Sequence, residues 1–227
     1  MSMDPALTTT SYAILGLLSV RPWSTYELAQ QMDRSLGRIW PRAQSKLYEE
    51  PKKLVRLGLA EATKGAVGRR PRTVYTITAE GRRALADWLP RPSAGPVLES
   101  EQLLKVFFAD SGTSADTLAT LHAARAWAEE RNQGNVAAGQ AYLAGQGPFQ
   151  DRAAQTALVG RFLTDYYRLV ATWAEWATAV VQQWPDDPAD AAPDPSQIAE
   201  TLRRANWSGG AARGPARAGR RLEARSP

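Results

Sequence analysis

A short arginine-rich loop, Gly68-Arg69-Arg70-Pro71-Arg72, opens directly onto an alternating segment, Thr73-Val74-Tyr75-Thr76-Ile77-Thr78. Strict alternation marks a half-buried strand, with Val74, Thr76 and Thr78 on one face or Tyr75 and Ile77 on the other turned to the core. Leu59–Thr63 reads as a strand before it, and the Lys64–Arg72 loop, with Gly65 and Gly68, reverses the chain. A lone hairpin is marginal in water and needs something to cover its apolar face. The hairpin follows helices and carries three arginines at its tip, a combination suited to touching phosphate.

Those helices carry their own punctuation. The first runs from about Thr10 to Val20, with Leu7, Ile14, Leu15, Leu17 and Leu18 giving an apolar face, and Pro22 ends it. Ser24, with Glu27 three residues on, predicts a capping box that starts a second helix carrying Tyr26, Leu28, Ala29 and Met32 and fading after Asp33. A turn through Gly37 leads to Trp40-Pro41, with proline suited to a first helical position. A third helix is expected from about Arg42 to Leu57, closed by Gly58. Pro51 interrupts it and predicts a kink or a shortened regular part. Thr78 caps a fourth helix to about Leu89. Helix, helix, helix, strand, strand, helix is the order of a winged helix-turn-helix.

Charge divides the 227 residues into blocks. Residues 1–92 hold 15 Lys/Arg and 8 Asp/Glu, residues 93–200 hold 6 and 14, and residues 201–227 hold 7 and 1, within an overall net charge of +5. The basic excess coincides with the hairpin unit, which suggests a polyanion as partner there. There is no cysteine and one histidine, His122, so metal sensing through nitrogen and sulfur ligands and histidine-dependent triads find no assembly. The pairs Glu129-Glu130 and Asp186-Asp187 read as solvated surface, and no phosphate-cradling glycine pattern occurs. The chain is expected to be no enzyme and to need no cofactor. No signal peptide and no apolar run of membrane-spanning length predict a cytoplasmic protein with no membrane partner.

Beyond the linker at Arg91–Pro96 the chain reads as helix over Glu99–Ala109, Ser114–Asn132, Asn135–Leu143 and about Asp151–Trp184. Thr113 with Asp116 predicts a second capping box. Phe162, Tyr166, Leu169, Trp173, Trp176 and Val180 recur at spacings of four and three, the seam of a helix packed along its length on another. Pro185–Ser196 reads as a loop and Gln197–Trp207 as a short helix. The Gly/Ala/Arg tail from Ser208 is expected to be disordered.

In order, the N-terminal pieces resemble the PadR-like family of winged helix-turn-helix transcriptional regulators. They are Ala13-Ile14-Leu15-Gly16-Leu17-Leu18, Ser24-Thr25-Tyr26-Glu27-Leu28, Leu47-Tyr48-Glu49, Leu57-Gly58-Leu59-Ala60, Val74-Tyr75-Thr76-Ile77-Thr78-Ala79-Glu80-Gly81 and Trp88. Pro51 and the basic tail depart from the commoner pattern. The resemblance implies a homodimeric repressor on an inverted repeat of double-stranded DNA, with the acidic helical remainder as dimerisation region. It also implies a response to small, flat, aromatic effectors.

The expected fold is mainly α with a small β-hairpin. Its parts are a winged helix-turn-helix over 1–90, a linker over 91–97, a helical dimerisation domain over 98–184, a loop and short helix over 185–207, and the tail over 208–227. A recognition helix reads base edges with its early residues, here Arg42, Gln44, Ser45 and Lys46, with Tyr48 either joining them or packing within the domain. Lys52 and Lys53 lie further along and suit phosphate. Arg69, Arg70 and Arg72 on the wing suit backbone or minor groove, or are an ordinary exposed turn. Phe162, Tyr166, Leu169, Trp173, Trp176 and Val180 are the expected dimer interface. Phe107, Trp127, Tyr167, Trp173 and Trp176 are candidates for an aromatic effector site, although aromatics at heptad spacing favour core or seam. The alternative is a winged-helix module that binds protein or RNA without an operator.

Overall fold

The computed structural model describes residues 7–41, 44–67 and 70–206, with side chains undescribed at 44–46, 66–67 and 70–71. The chain divides into two compact units, 1–96 and 97–227.

The first unit begins with α1 (Thr9–Val20). Thr8 and Ser11 cap it reciprocally, each side chain accepting the other's backbone N–H. Ile14, Leu15 and Leu18 are fully buried. β1 (Trp23–Ser24) follows, then α2 (Thr25–Gln31), whose start is the expected Ser24–Glu27 box. The helix does not fade after Asp33 but widens into a π turn over Met32–Leu36, with Met32 buried. Gly37 closes it where a Cβ would lie 2.6 Å from the Asp33 carbonyl oxygen, so only glycine fits without a shift.

α3 (Gln44–Arg56) contains Pro51 and continues through it. The regular part is not shortened at Pro51, which is fully buried on the same face as Leu47 and Leu54, where packing offsets the missing N–H. Gly58 then takes φ +71° and turns the chain into β2 (Ala60–Val67). β3 (Arg70–Ile77) returns antiparallel, from Ala60 opposite Ile77 to Val67 opposite Arg70. The loop expected over Lys64–Arg72 is therefore mostly strand: cross-strand pairing recruits residues whose own β preference is weak. β3 is the centre of a three-stranded sheet, order β1-β3-β2, with Trp23 opposite Tyr75 and Ser24 opposite Val74. Tyr75 and Ile77 face the core. α4 (Ala79–Trp88) is capped by Thr78, and Trp88 stacks on Tyr12 at 4.8 Å, so the last helix closes on the first.

In the second unit α5 (Glu101–Phe107) leads to α6 (Ser114–Leu143), capped by the Thr113–Asp116 box, and α7 (Ala153–Val181). The break expected near Gly134 does not occur, because α6 packs on α7 along its length. Leu121 meets Ala177 and Val181, Ala128 meets Leu163 and Tyr167, and the Asn135 amide donates to the Gly160 carbonyl and the Thr164 hydroxyl. The pairing is antiparallel, and Ser114 N–H donates to the Asp186 carbonyl at its open end. α8 (Pro195–Ala205) follows, capped by Asp194. The expected tail lies outside the described residues. No helix among the described residues is long and apolar enough to cross a membrane.

The expected seam sits one residue aside from the buried row. α7 turns Leu163, Tyr167, Ala174, Ala177 and Val181 onto α6. Tyr166, Trp173 and Val180 flank it half-buried, while Phe162, Leu169 and Trp176 stay 61%, 63% and 47% exposed.

Candidate nucleic-acid interface

α3 is amphipathic with one anchored face. Leu47, Pro51 and Leu54 are buried, and Tyr48, Glu49, Lys52 and Arg56 stand on the exposed side at helical spacing. The anchor has a polar component. Glu50 accepts from the buried Ser11 hydroxyl at the start of α1, and Lys53 reaches the same carboxylate at 3.1 Å. Lys53 is thus a half-buried tie within the unit, unlike Lys52, whose ammonium is exposed and sits 2.8 Å from Glu49. That exposed pair holds the Glu49 carboxyl below its usual range. The segment ahead of α3 is fixed by Trp40, whose indole N–H donates to Thr10 Oγ1 at 3.1 Å.

Of the sequence-derived candidates, Arg42 and Arg69 lie outside the described residues, as do the side chains of Gln44, Ser45, Lys46 and Arg70. The backbone nevertheless places Gln44, Ser45 and Lys46 in the first turn of α3 and Arg70 at the start of β3. Tyr48 and Lys52 share the exposed face. Arg72 points back from β3 to α2, where its Nη2 lies 2.7 Å from Glu27 Oε2. Arg34 on the π turn, Arg38 beyond it and Arg56 at the end of α3 are exposed as well and are not among the sequence-derived site residues. Their helix-terminal and turn positions carry no motif, although their charge was countable.

Electrostatics near α2 centre on Glu27. The Ser24 hydroxyl and then the Ser24 N–H, helped by Arg72, hold its carboxyl down to about 2, against a burial penalty. Among the described residues no group of three or more His, Asp or Glu could hold a metal.

The aromatic candidates separate. Trp127 meets Tyr167 edge-on at 5.7 Å and Tyr166 at 6.3 Å. Trp173 packs instead with Leu121, Ala177 and Val181. Phe107 is exposed on α5 against Phe108, and Trp176 is on the outer side of α7.

Residues 14–87 match the family model described as the transcriptional regulator PadR-like family. The chain is 34% identical over 99 residues to the negative transcriptional regulator PadR of Bacillus subtilis, covering 43% of this chain and 54% of that one. The match thus spans about half the length of that relative. Among solved structures, Bacillus subtilis PadR in complex with operator DNA superposes with a TM-score of 0.63 at 24% identity, over 77% of this chain and 99% of that chain. PadR in complex with p-coumaric acid gives 0.62 at 24% identity, over 80% of this chain and 99% of that one. At this identity the superpositions speak for the fold.

Proposed function

We propose, from the match of residues 14–87 to the model of the PadR-like family of transcriptional regulators, that the chain is a DNA-binding regulator, a homodimeric repressor of an inverted-repeat operator. The observation that carries the reading is α3 itself. It is anchored through Leu47, Glu50, Pro51 and Leu54 and offers an exposed face with Tyr48, Lys52 and Arg56 beside a two-stranded hairpin. Gln44, Ser45 and Lys46 in its first turn, with Arg42 before it, would read base edges in the major groove. Lys52, Arg56, Arg34 and Arg38 would neutralise phosphate, and Arg69 and Arg70 would follow the backbone beside the helix. Two such heads, held by the outer face of α7 with Phe162, Leu169 and Trp176, would occupy successive grooves and exclude polymerase. The likeness to PadR in complex with operator DNA supports this reading.

The complex of PadR with p-coumaric acid motivates a small aromatic effector here. Such a ligand would release the operator by binding better to a dimer whose heads are misspaced. Trp127 and Tyr167, on facing helices, are the pair through which it would act.

An electrophoretic shift on the chain's own upstream DNA tests the first part. Retention that survives excess random competitor is expected; salt-sensitive smearing alone would point to a non-specific or protein-binding module. Titration of the complex with a panel of hydroxylated aromatic acids, read by release of DNA and by tryptophan quenching, tests the second. No release by any compound would remove the effector.

A further inference from the structure

Two segments distant in the chain, the capped start of α2 and the turn-proximal half of β3, meet beside the hairpin. Glu27 Oε2 accepts from the Ser24 N–H at 2.8 Å, from the Ser24 hydroxyl at 2.6 Å and from Arg72 Nη2 at 2.7 Å. Arg21 Nη1 lies 3.8 Å from the other oxygen, with its guanidinium carbon 3.4 Å from the centroid of the Trp23 ring. Ser24 is the β1 residue opposite Val74, two positions along β3 from Arg72. One carboxylate therefore closes the first turn of α2 and holds the central strand of the sheet. Across the hairpin Arg72 is opposite Gly65, which has no side chain to steady it from β2.

We propose that Glu27 is the positioning residue of the wing: by holding Arg72 it sets the β2–β3 hairpin against α2, and Arg72 serves that hold instead of gripping a DNA phosphate. The proposal rests on the DNA-binding reading above and changes one part of it. Exposed ion pairs contribute little when both side chains must be ordered to form them. Here Ser24 has already ordered Glu27, so only Arg72 loses freedom. A guanidinium already neutralised by a carboxylate also has little net charge to offer in exchange for counterions on DNA. Arg72 would then govern affinity through the angle of the wing, and the salt dependence of binding would come from exposed arginines such as Arg34, Arg38 and Arg56.

The test uses the full chain as wild type, Glu27→Gln, Arg72→Gln, the double variant and Arg72→Lys. Glutamine keeps an acceptor for the Ser24 N–H, so the helix cap survives while the ion pair is lost. Amide exchange across Arg72–Ile77 is measured without DNA, and affinity for the upstream duplex is measured over a salt series. Each glutamine variant should speed exchange in β3 and weaken binding several-fold. The double variant should add nothing, and Arg72→Lys should restore most of both. The slope of log affinity against log salt should stay at the wild-type value in all of them, whereas changing the exposed Arg38 to glutamine (Arg38→Gln) should lower its magnitude by about one. If Arg72→Gln lowers the slope by about one and leaves β3 exchange unchanged, Arg72 grips phosphate and the proposal is wrong. Additive effects of the two glutamine changes would also overturn it. Should the wild type ignore duplex DNA, the functional reading fails, while the exchange measurements still decide whether Glu27 holds the hairpin.

Discussion

Single residues carry much of the tolerance of this unit. At Gly81 an added Cβ would lie 2.1 Å from the Leu59 carbonyl oxygen and 2.8 Å from Ile77 Cγ1, so α4 docks where only a hydrogen fits. Gly81→Ala should cost about 1–3 kcal/mol through overpacking, read from urea unfolding; an unchanged midpoint would contradict the close approach. Glu27 makes a pH prediction. Its folded value is depressed to about 2 from an ordinary 4.5, so its ionised form stabilises the fold above 4.5, and that stability is lost as pH falls toward 2. Wild type should therefore lose more stability over that window than Glu27→Gln, and parallel acid-unfolding curves would refute it. The Ser24–Glu27 box was legible because its partners are three residues apart. Arg72 on the same carboxylate was not, since 45 residues of chain separate the two and nothing local points from one to the other.

Elements reveal where local preference yields to packing. α6 keeps Gly134 and Gly139 inside thirty helical residues. An interior glycine costs about 0.5–1 kcal/mol relative to alanine, and contact with α7 outweighs it. A Cβ on Gly139 meets nothing within 4 Å. Gly139→Ala should therefore raise stability by about 0.5–1 kcal/mol, seen as a higher calorimetric Tm; a lower Tm would mean that the site is not open. Leu121 is the opposite case, fully buried against Ala177 and Val181, and Leu121→Ala should cost about 2–5 kcal/mol. Period alone located α7 and picked out the row expected at the dimer interface, but not the adjacent row that meets α6. Large apolar side chains drew attention to Phe162, Leu169 and Trp176, whereas the helices meet over Ala128, Ala174 and Ala177, small residues that let backbones approach. The hairpin was misjudged in length for a related reason: Lys64 and Gly65 look like loop, and only pairing with Thr73 and Arg72 makes them strand.

For the whole molecule, the outer row of α7 is the feature with most at stake. Charging half-buried Trp173 or Val180 would damage the unit itself, because both lie beside α6. Phe162→Glu with Leu169→Glu alters only exposed positions, and the pair should convert a dimer to a monomer in size-exclusion chromatography with helicity unchanged; a persisting dimer would place the interface elsewhere. The architecture of the first unit was legible from the order of its caps and periods, but β1 was not. Two residues, Trp23 and Ser24, carry no strand signal, and they exist as a strand only because β3 arrives beside them. That pairing has a kinetic consequence. It joins positions about fifty residues apart, so most of the unit's chain entropy is spent before these two pairs can form. They should close after the barrier, and replacing Trp23 with phenylalanine should hasten unfolding while leaving the rate of folding near that of wild type.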